Sequence, residues 1–325
     1  MAAVANFVKR DDRYKTEKPY LYHGPEQEGF PHSNLIYEES PLSLTDLRHV
    51  LDFKPTMESH GFCFIENKSK ELPTLVDESN SQPYAVEMAG VLKKLLNATL
   101  VLPVQTRLRS SNKEEQQSKN RAPAGTEAHI DTTMFDAWPR IKMLLTPEEQ
   151  DLVLSGKYRA RIMNFWRPII NPAEAFPLAV LDPTSVDYSN DAVAIDQVAP
   201  MGAAETLYLK SNPNHRWYWK SNMTPDEAIA FTQYDTHPPE GRLNQIGHCA
   251  FRNPAARPDC PPRRSVEARF TVIEPAPYEK PTTLADPHPP EMLKQPWREF
   301  IHLPENPPMW KPSFAREDMQ VLEVA

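Results

Sequence analysis

Glycine and cysteine are scarce in this sequence, and so are excess basic charge and long apolar runs. Nine glycines stand against 35 prolines in 325 residues, under half and roughly double ordinary usage respectively. Proline is excluded from central strands and helix interiors, so this balance describes a chain of many rigid loops. The three cysteines, Cys63, Cys249 and Cys260, cannot all pair, and none belongs to a two-residue-spaced pair. That excludes a disulfide framework and the usual zinc or thiol-redox motifs, and it fits a reducing compartment. No run approaches membrane-spanning length, and the opening MAAVANFVKRDDRYKTEKPY meets charge within ten residues without the apolar stretch of a secretory signal. A cytoplasmic protein is therefore expected. With 36 basic against 44 acidic residues, a formal charge of −8, neither nucleic acid nor an anionic membrane is an expected partner. A small-molecule substrate is the default, with a homodimer left open.

What is present is a 40% apolar content, enough to bury a substantial core. No internal repeat is evident. Residues 1–40 read as irregular. Leu44, Leu47 and Leu51 behind a capping Ser43 predict a short helix in SLTDLRHVLDF, and HGFCFIE then reads as a strand. AVEMAGVLKKLLN predicts a helix that stops near Asn97, and TLVLPVQTRLR alternates like a half-buried strand. Residues 110–127, SSNKEEQQSKNRAPAGTE, read as a mobile, lid-like polar loop. TPEEQDLVLSG and TPDEAIAFTQY share a threonine cap, a first-turn proline and acidic residues at the positive helix end, so both are expected to be helices. Between and after them lie strand-like runs: YRARIMNFWRP, FPLAVLD, DAVAIDQV, AETLYLKS, HRWYWK, GHCAFR and SVEARFTVIE. Many short strands with proline-rich turns point to a barrel or sandwich with helices outside. From residue 275 the proline-rich tail either wraps the domain in extended form or is partly disordered.

His129-Ile-Asp131 puts two side chains on one face of a strand, within reach of one metal ion. Alone, the pair also reads as a loop histidine beside a capping aspartate. His248 in GHCAFR, followed by Arg263 and Ser265, makes order and spacing informative. Two imidazoles and one carboxylate on one face of ferrous iron leave three positions open, enough for a bidentate oxo-acid and dioxygen. The distal carboxylate of 2-oxoglutarate calls for a planar bidentate cation and a hydroxyl, which Arg263 and Ser265 supply on the same strand face.

The segments AHIDTT, YRARIMNFWRP, FPLAVLD, HRWYWKSNMTPDEA, GHCAFRNP and PPRRSVEARF resemble the fungal hydroxylase/desaturase family of secondary metabolism. That group includes gibberellin-desaturase-like enzymes and relatives of a bacterial cephem-methoxylase component. The resemblance covers about residues 60–275. It implies a mainly β fold with flanking helices, a double-stranded β-helix of jelly-roll, cupin-like type. It further implies one oxygenase domain over 1–325, with 276–325 as a proline-rich extension. It also implies Fe(II) and 2-oxoglutarate as cofactors with O2 as co-substrate, His129, Asp131 and His248 at the metal, and Arg263 and Ser265 as an Arg-x-Ser anchor. The implied activity is hydroxylation, desaturation or oxidative ring closure of a fungal secondary metabolite. Two features depart from the pattern. Arg264 stands where an acidic residue is expected after Arg263, and Arg269 shares the face of Arg263 and Ser265 and so rivals it for the carboxylate. The adjacent hydroxyl favours Arg263.

Asn164 and Trp166 share one strand face, with Arg167 on the other. They suit orientation of 2-oxoglutarate or substrate, and equally a core tryptophan beside an amide that satisfies the backbone. Arg107 and Arg109, alternating before the metal pair, suit a substrate carboxylate or merely an exposed edge, and Arg269 also stands as a substrate-binding candidate. His215, before Trp217, Tyr218 and Trp219, competes with His248 as distal ligand but lacks the arginine-serine sequel; its aromatic neighbours suit a core or an apolar pocket. Cys249 neighbours His248 yet points to the opposite face, which gives it no chemistry. Two other classes remain: a non-catalytic metabolite-binding or accessory protein, against which the intact triad argues, and a zinc or manganese hydrolase or isomerase, for which the anchor has no purpose.

Overall fold

Strand β1 (Val4–Val8) opens the chain, followed by β2 (Tyr20–Tyr22), β3 (Tyr37–Pro41), β4 (Leu44–Asp46), β5 (Phe62–Glu66), helix α1 (Gln82–Leu96) and β6 (Leu100–Ser110). Then come α2 (Lys113–Ser118), β7 (His129–Ile130), α3 (Met134–Lys142), α4 (Pro147–Leu154), β8 (Tyr158–Pro168), β9 (Leu178–Leu181) and α5 (Tyr188–Asp191). The rest is β10 (Ala192–Ala199), β11 (Gly202–Leu209), β12 (Trp217–Trp219), β13 (Glu227–Asp235), β14 (His248–Ala250) and β15 (Arg264–Pro275). The computed structural model describes residues 3–282 apart from 51, 120, 241 and 242, together with 293–304 and 313–314. Most of the proline-rich tail therefore lies outside the described residues.

One sheet has the order β5-β13-β8-β15-β6 and is antiparallel throughout. The other has the order β2-β10-β11-β7-β14-β9-β12-β4, with parallel pairing only at its two outer strand pairs. The sheets face each other as a jelly roll: Phe62, Trp166, Ile229 and Phe231 of the first pack on Leu178, Val180 and Tyr218 of the second. On the outer face of the five-stranded sheet, α1 lays Tyr84, Met88 and Leu92 over Met163, Phe165, Val266, Ala268 and Phe270. Each such large buried side chain is worth about 1.5–3 kcal/mol. Asn97, in the left-handed conformation at φ 51°, ends α1 at the expected place.

Several expectations are corrected. SLTDLRHVLDF is not a helix. Its Leu44–Asp46 pairs parallel with β12, and the Leu47 N–H donates to the Trp219 carbonyl. A short leucine periodicity does not outweigh a sheet edge that supplies hydrogen bonds to the same backbone. The twin TP-acid segments also diverge. TPEEQDLVL forms α4, with a reciprocal capping box between Thr146 and Glu149. In TPDEAIAFTQY the motif closes a single turn, in which Glu227 accepts from the Thr224 N–H, and the chain then extends as β13 with all nine residues buried. An apolar run buried on both faces carries no period that separates strand from helix. The segment expected to be irregular, 1–40, holds strands among its described residues, since β2 joins the larger sheet and β1 pairs with β3. The polar segment 110–127 contains α2 and is tied down: Ala122 accepts from the Ser110 N–H and donates to the Leu108 carbonyl of β6, and Glu115 pairs with Arg264. Helix α3 was not expected: Pro139 argues against a helix interior, but Met134, Ala137, Trp138 and Ile141 fall at helical spacing and pack into one apolar cluster.

Candidate metal centre

β7 and β14 are neighbours in the larger sheet, and His129 stands directly opposite His248 in their ladder. This brings together residues more than a hundred positions apart. Asp131 follows just beyond β7. The Asp131 Oδ1 lies 3.4 Å from Nε2 of His129 and 4.0 Å from Nε2 of His248, and one donor atom from each residue falls within 4.8 Å of the others. Ligands about 2.1 Å from one ion at right angles stand about 3 Å apart, so a small inward adjustment closes this set on a metal. The Nδ1 atoms point away: that of His129 is 2.7 Å from the Glu127 carbonyl and that of His248 is 3.2 Å from the Ile246 carbonyl. Donation from Nδ1 to a carbonyl leaves each Nε2 lone pair free for an ion.

The charges fit the same role. Burial, together with the neighbouring His129, pushes His248 down to about 4, so its imidazole is neutral at pH 7. Burial works against ionised Asp131, but the Arg269 guanidinium and the His129 ring outweigh it and hold the carboxyl well below the usual range. The outer oxygen of that carboxylate is already engaged. Asn164 donates its Nδ2 to Oδ2 at 2.6 Å, and Arg269 Nη2 stands 3.2 Å from it. Only Oδ1 faces the imidazoles, which suits a monodentate ligand.

Around this set, cross-strand pairing explains which groups face inward. In the five-stranded sheet Arg269 pairs with Asn164, Glu267 with Trp166, and Ser265 with Pro168, so Ser265, Glu267 and Arg269 share the face from which Asn164 and Arg269 reach Asp131. The two rival arginines are now distinguishable. Arg269 is committed, to Asp131 and to Glu267 at 2.9 Å. Arg263 is buried over the face of Trp166, its Nη1 reaches only the Phe176 carbonyl at 3.3 Å, and its Nε and Nη2 have no partner. Burial, with Arg109 adding like charge, pushes it down to about 9. Ser265 Oγ and Asn164 Oδ1 are likewise buried without partners. A buried guanidinium edge beside an unused hydroxyl is the donor set a carboxylate requires, so these residues fit 2-oxoglutarate.

The remaining candidates take quieter places. Trp166 is 1% exposed, a core residue beneath Arg263. Arg107 projects from β6, 3.7 Å from Glu78, and lines a cavity of about 360 Å³ with Arg269 and the apolar walls Val104, Met143, Leu144 and Ile162. His215 is held by Asp191 at 3.1 Å and packs on Trp217, apart from the triad, and Cys249 is buried in the apolar cluster behind β14. Sequence reasoning missed Gln233 and Glu267. Glu267 had a signal, an acidic residue alternating in phase with Ser265 and Arg269, whereas Gln233 is aimed inward by a register shift that its own strand does not announce.

Comparison with known proteins gives the family and the fold. The hydroxylase/desaturase efuI of Hormonema carpetanum is 28% identical over 264 residues, 74% of this chain and 86% of that protein. The alpha-ketoglutarate-dependent dioxygenase phiK of a fungal species is 29% identical over 269 residues, 78% of this chain and 94% of that protein. The solved structure of the iron and alpha-ketoglutarate-dependent endoperoxidase NvfI superposes with a TM-score of 0.70 at 22% identity, covering 84% of this chain and 97% of that one, and establishes the jelly-roll fold. Its curated counterpart is the Fe(II)/2-oxoglutarate-dependent dioxygenase nvfI of Aspergillus novofumigatus, 25% identical over 82% of this chain and 94% of that protein. Matching the family model over residues 5–273, the chain belongs to the family described as oxidoreductase/YMDC permease-like domain, in the company of fungal Fe(II)/2-oxoglutarate-dependent dioxygenases.

Proposed function

We propose that this chain is an Fe(II)/2-oxoglutarate-dependent dioxygenase that hydroxylates, desaturates or oxidatively cyclises a fungal secondary metabolite. One observation carries the reading: a convergent His129, Asp131 and His248 set beside a buried arginine edge with no protein partner. His129, Asp131 and His248 would hold the iron. Arg263 and Ser265 would take the distal carboxylate of 2-oxoglutarate, with the free Oδ1 of Asn164 beside them. Iron(II) with 2-oxoglutarate and dioxygen supplies the oxidant that attacks an unactivated C–H bond. The chain's own part is placement. Asn164 and Arg269 keep the Asp131 carboxylate turned toward the imidazoles, and Trp166 and Phe231 keep the inner side of the five-stranded sheet dry.

The cavity beyond Arg269 suits the substrate, its apolar wall meeting a carbon skeleton and Arg107 a carboxylate or carbonyl on the rim. Three free thiols support a reducing, cytoplasmic setting. The family match over 5–273 supports one oxygenase domain. The test is 2-oxoglutarate-dependent succinate formation, dependent on added Fe(II), screened for stimulation by terpenoid, polyketide, peptide-like and amino-acid substrates. Stimulated turnover that needs both additions supports the reading. Folded protein that consumes no 2-oxoglutarate with any class overturns it.

A further inference from the structure

We propose that Gln233 is the positioning residue that sets Asp131 relative to His248, using both ends of its buried side-chain amide to tie the two ligand-bearing segments together. The proposal rests on the metal-centre reading above. β13 pairs regularly with β8 up to Thr232 and resumes at Tyr234, which makes Gln233 an extra residue without a partner in that ladder. A bulge of this kind re-aims one side chain, and bulges of this kind are frequent beside active sites. Here it aims Gln233 at the metal segments. Its Oε1 accepts the Asp131 backbone N–H at 2.7 Å, and its Nε2 donates to the Ile246 carbonyl at 3.0 Å and to its neighbour Thr232 at 3.2 Å. The Ile246 carbonyl is also the group that faces Nδ1 of His248. One amide therefore links the main chain of the carboxylate ligand to the carbonyl that orients an imidazole ligand.

A second tie lies outside the first: Gln245 donates its Nε2 to the Thr132 carbonyl at 3.1 Å and to the Gln233 carbonyl at 3.2 Å. Gln233 is fully buried and Gln245 nearly so. The pairing of β15 with β6 shifts register just after Arg269, where Val104 of β6 is left without a partner, and Arg269 holds the carboxylate end of the same Asp131. Both departures from regular pairing thus fall where the sheet grips Asp131, one by its backbone and one by its side chain. The bridge needs an acceptor and a donor on one rigid plane. A carboxylate lacks the donor, a thioether lacks the donor and is only a weak acceptor, and an asparagine is one methylene short. Metal sites tolerate displacements of only about 0.5 Å in such supporting contacts.

The experiment is Co(II) titration of the purified chain, followed by visible absorption, for the wild type, Gln233→Met and Gln233→Asn. Unfolding of the metal-free proteins is measured in parallel, with Met88→Ala in the core beneath α1 as a variant that lowers stability elsewhere. The expected result is a Co(II) affinity at least about tenfold weaker in Gln233→Met, with an altered absorption band, and an intermediate value in Gln233→Asn. Met88→Ala should lose stability with its Co(II) band unchanged. Wild-type affinity and band in Gln233→Met overturn the proposal, and if that variant does not fold, the same result in Gln233→Asn does so. If folded wild type binds no Co(II), the metal-centre reading fails and this proposal fails with it.

Discussion

Arg159 and Arg263 are almost equally buried, 2% and 3% exposed, at opposite ends of the five-stranded sheet, and their surroundings treat them in opposite ways. Arg159 is saturated. Its Nε donates to Asp235 at 2.7 Å, its Nη2 takes the other oxygen of that carboxylate, and its Nη1 reaches Glu58 at 3.1 Å and Glu274 at 3.2 Å. Burial opposes its charge, but these carboxylates outweigh burial and raise its pKa. Arg263 has one carbonyl contact and no ion pair among the described residues, and burial pushes it down. Burial of a cation is therefore no guide to its role. The counter-charge is the better guide: Arg161, 1% exposed with its Nε and Nη1 unpartnered, is still held in place by Glu58 and Glu274, whereas Arg263 combines a free edge with no ion pair among the described residues, which is the state that suits an anionic ligand.

The largest effect expected from this contrast is on stability. Arg159→Met leaves Asp235 buried without its counter-charge, and should cost about 3–5 kcal/mol in urea unfolding while the folded fraction still binds Co(II). Arg263→Met should do the reverse. Its unfolding midpoint should not fall, and affinity for 2-oxoglutarate, by isothermal titration of the metal-loaded protein, should drop by about 2 kcal/mol, roughly thirtyfold. A midpoint drop in Arg263→Met as large as that in Arg159→Met would break the comparison. Next is Arg269→Met, which leaves Asn164 alone on the outer oxygen of Asp131. Metal affinity should weaken about tenfold, and 2-oxoglutarate affinity should suffer less than in Arg263→Met. Equal losses would leave the two arginines sharing the anchor.

The smallest effect is the pH dependence of the saturated end. Burial works to raise the Asp235 carboxyl, but the Arg159 fork outweighs it and holds the folded pKa below the unfolded value. The stability that Asp235 contributes is thus fully present above its ordinary value of about 3.9 and is lost as pH falls through the lower folded value. Asp235→Asn should flatten the dependence of the urea midpoint on pH below roughly pH 4. An unchanged slope would remove Asp235 from the stabilising set.

How much of this was legible in the sequence depends on how local the cause was. His129, Asp131 and His248 were readable because order and spacing carry over into strand pairing, and strand alternation placed Ser265 and Arg269 on one face. The strands from YRARIMNFWRP onward were readable for the same reason, as was α4, whose capping box is entirely local. β13 was not, since the same TP-acid opening leads into a run buried on both faces and only the neighbouring strands β5 and β8 decide its conformation. Gln233 stayed invisible because its role arises from a bulge, a property of the pairing of two strands rather than of either one. The different partners of Arg263 and Arg269 are likewise something no spacing reveals.

The central claim is that one site holds iron through His129, Asp131 and His248 and takes the carboxylate of 2-oxoglutarate on Arg263. Anaerobic addition of Fe(II) and then 2-oxoglutarate, followed by visible absorption, tests it most directly. The account predicts a weak charge-transfer band that appears only with both additions, saturates at one equivalent of each, and requires a much higher 2-oxoglutarate concentration in Arg263→Met. Folded wild-type protein that develops no band, or an Arg263→Met variant that titrates like wild type, would contradict it.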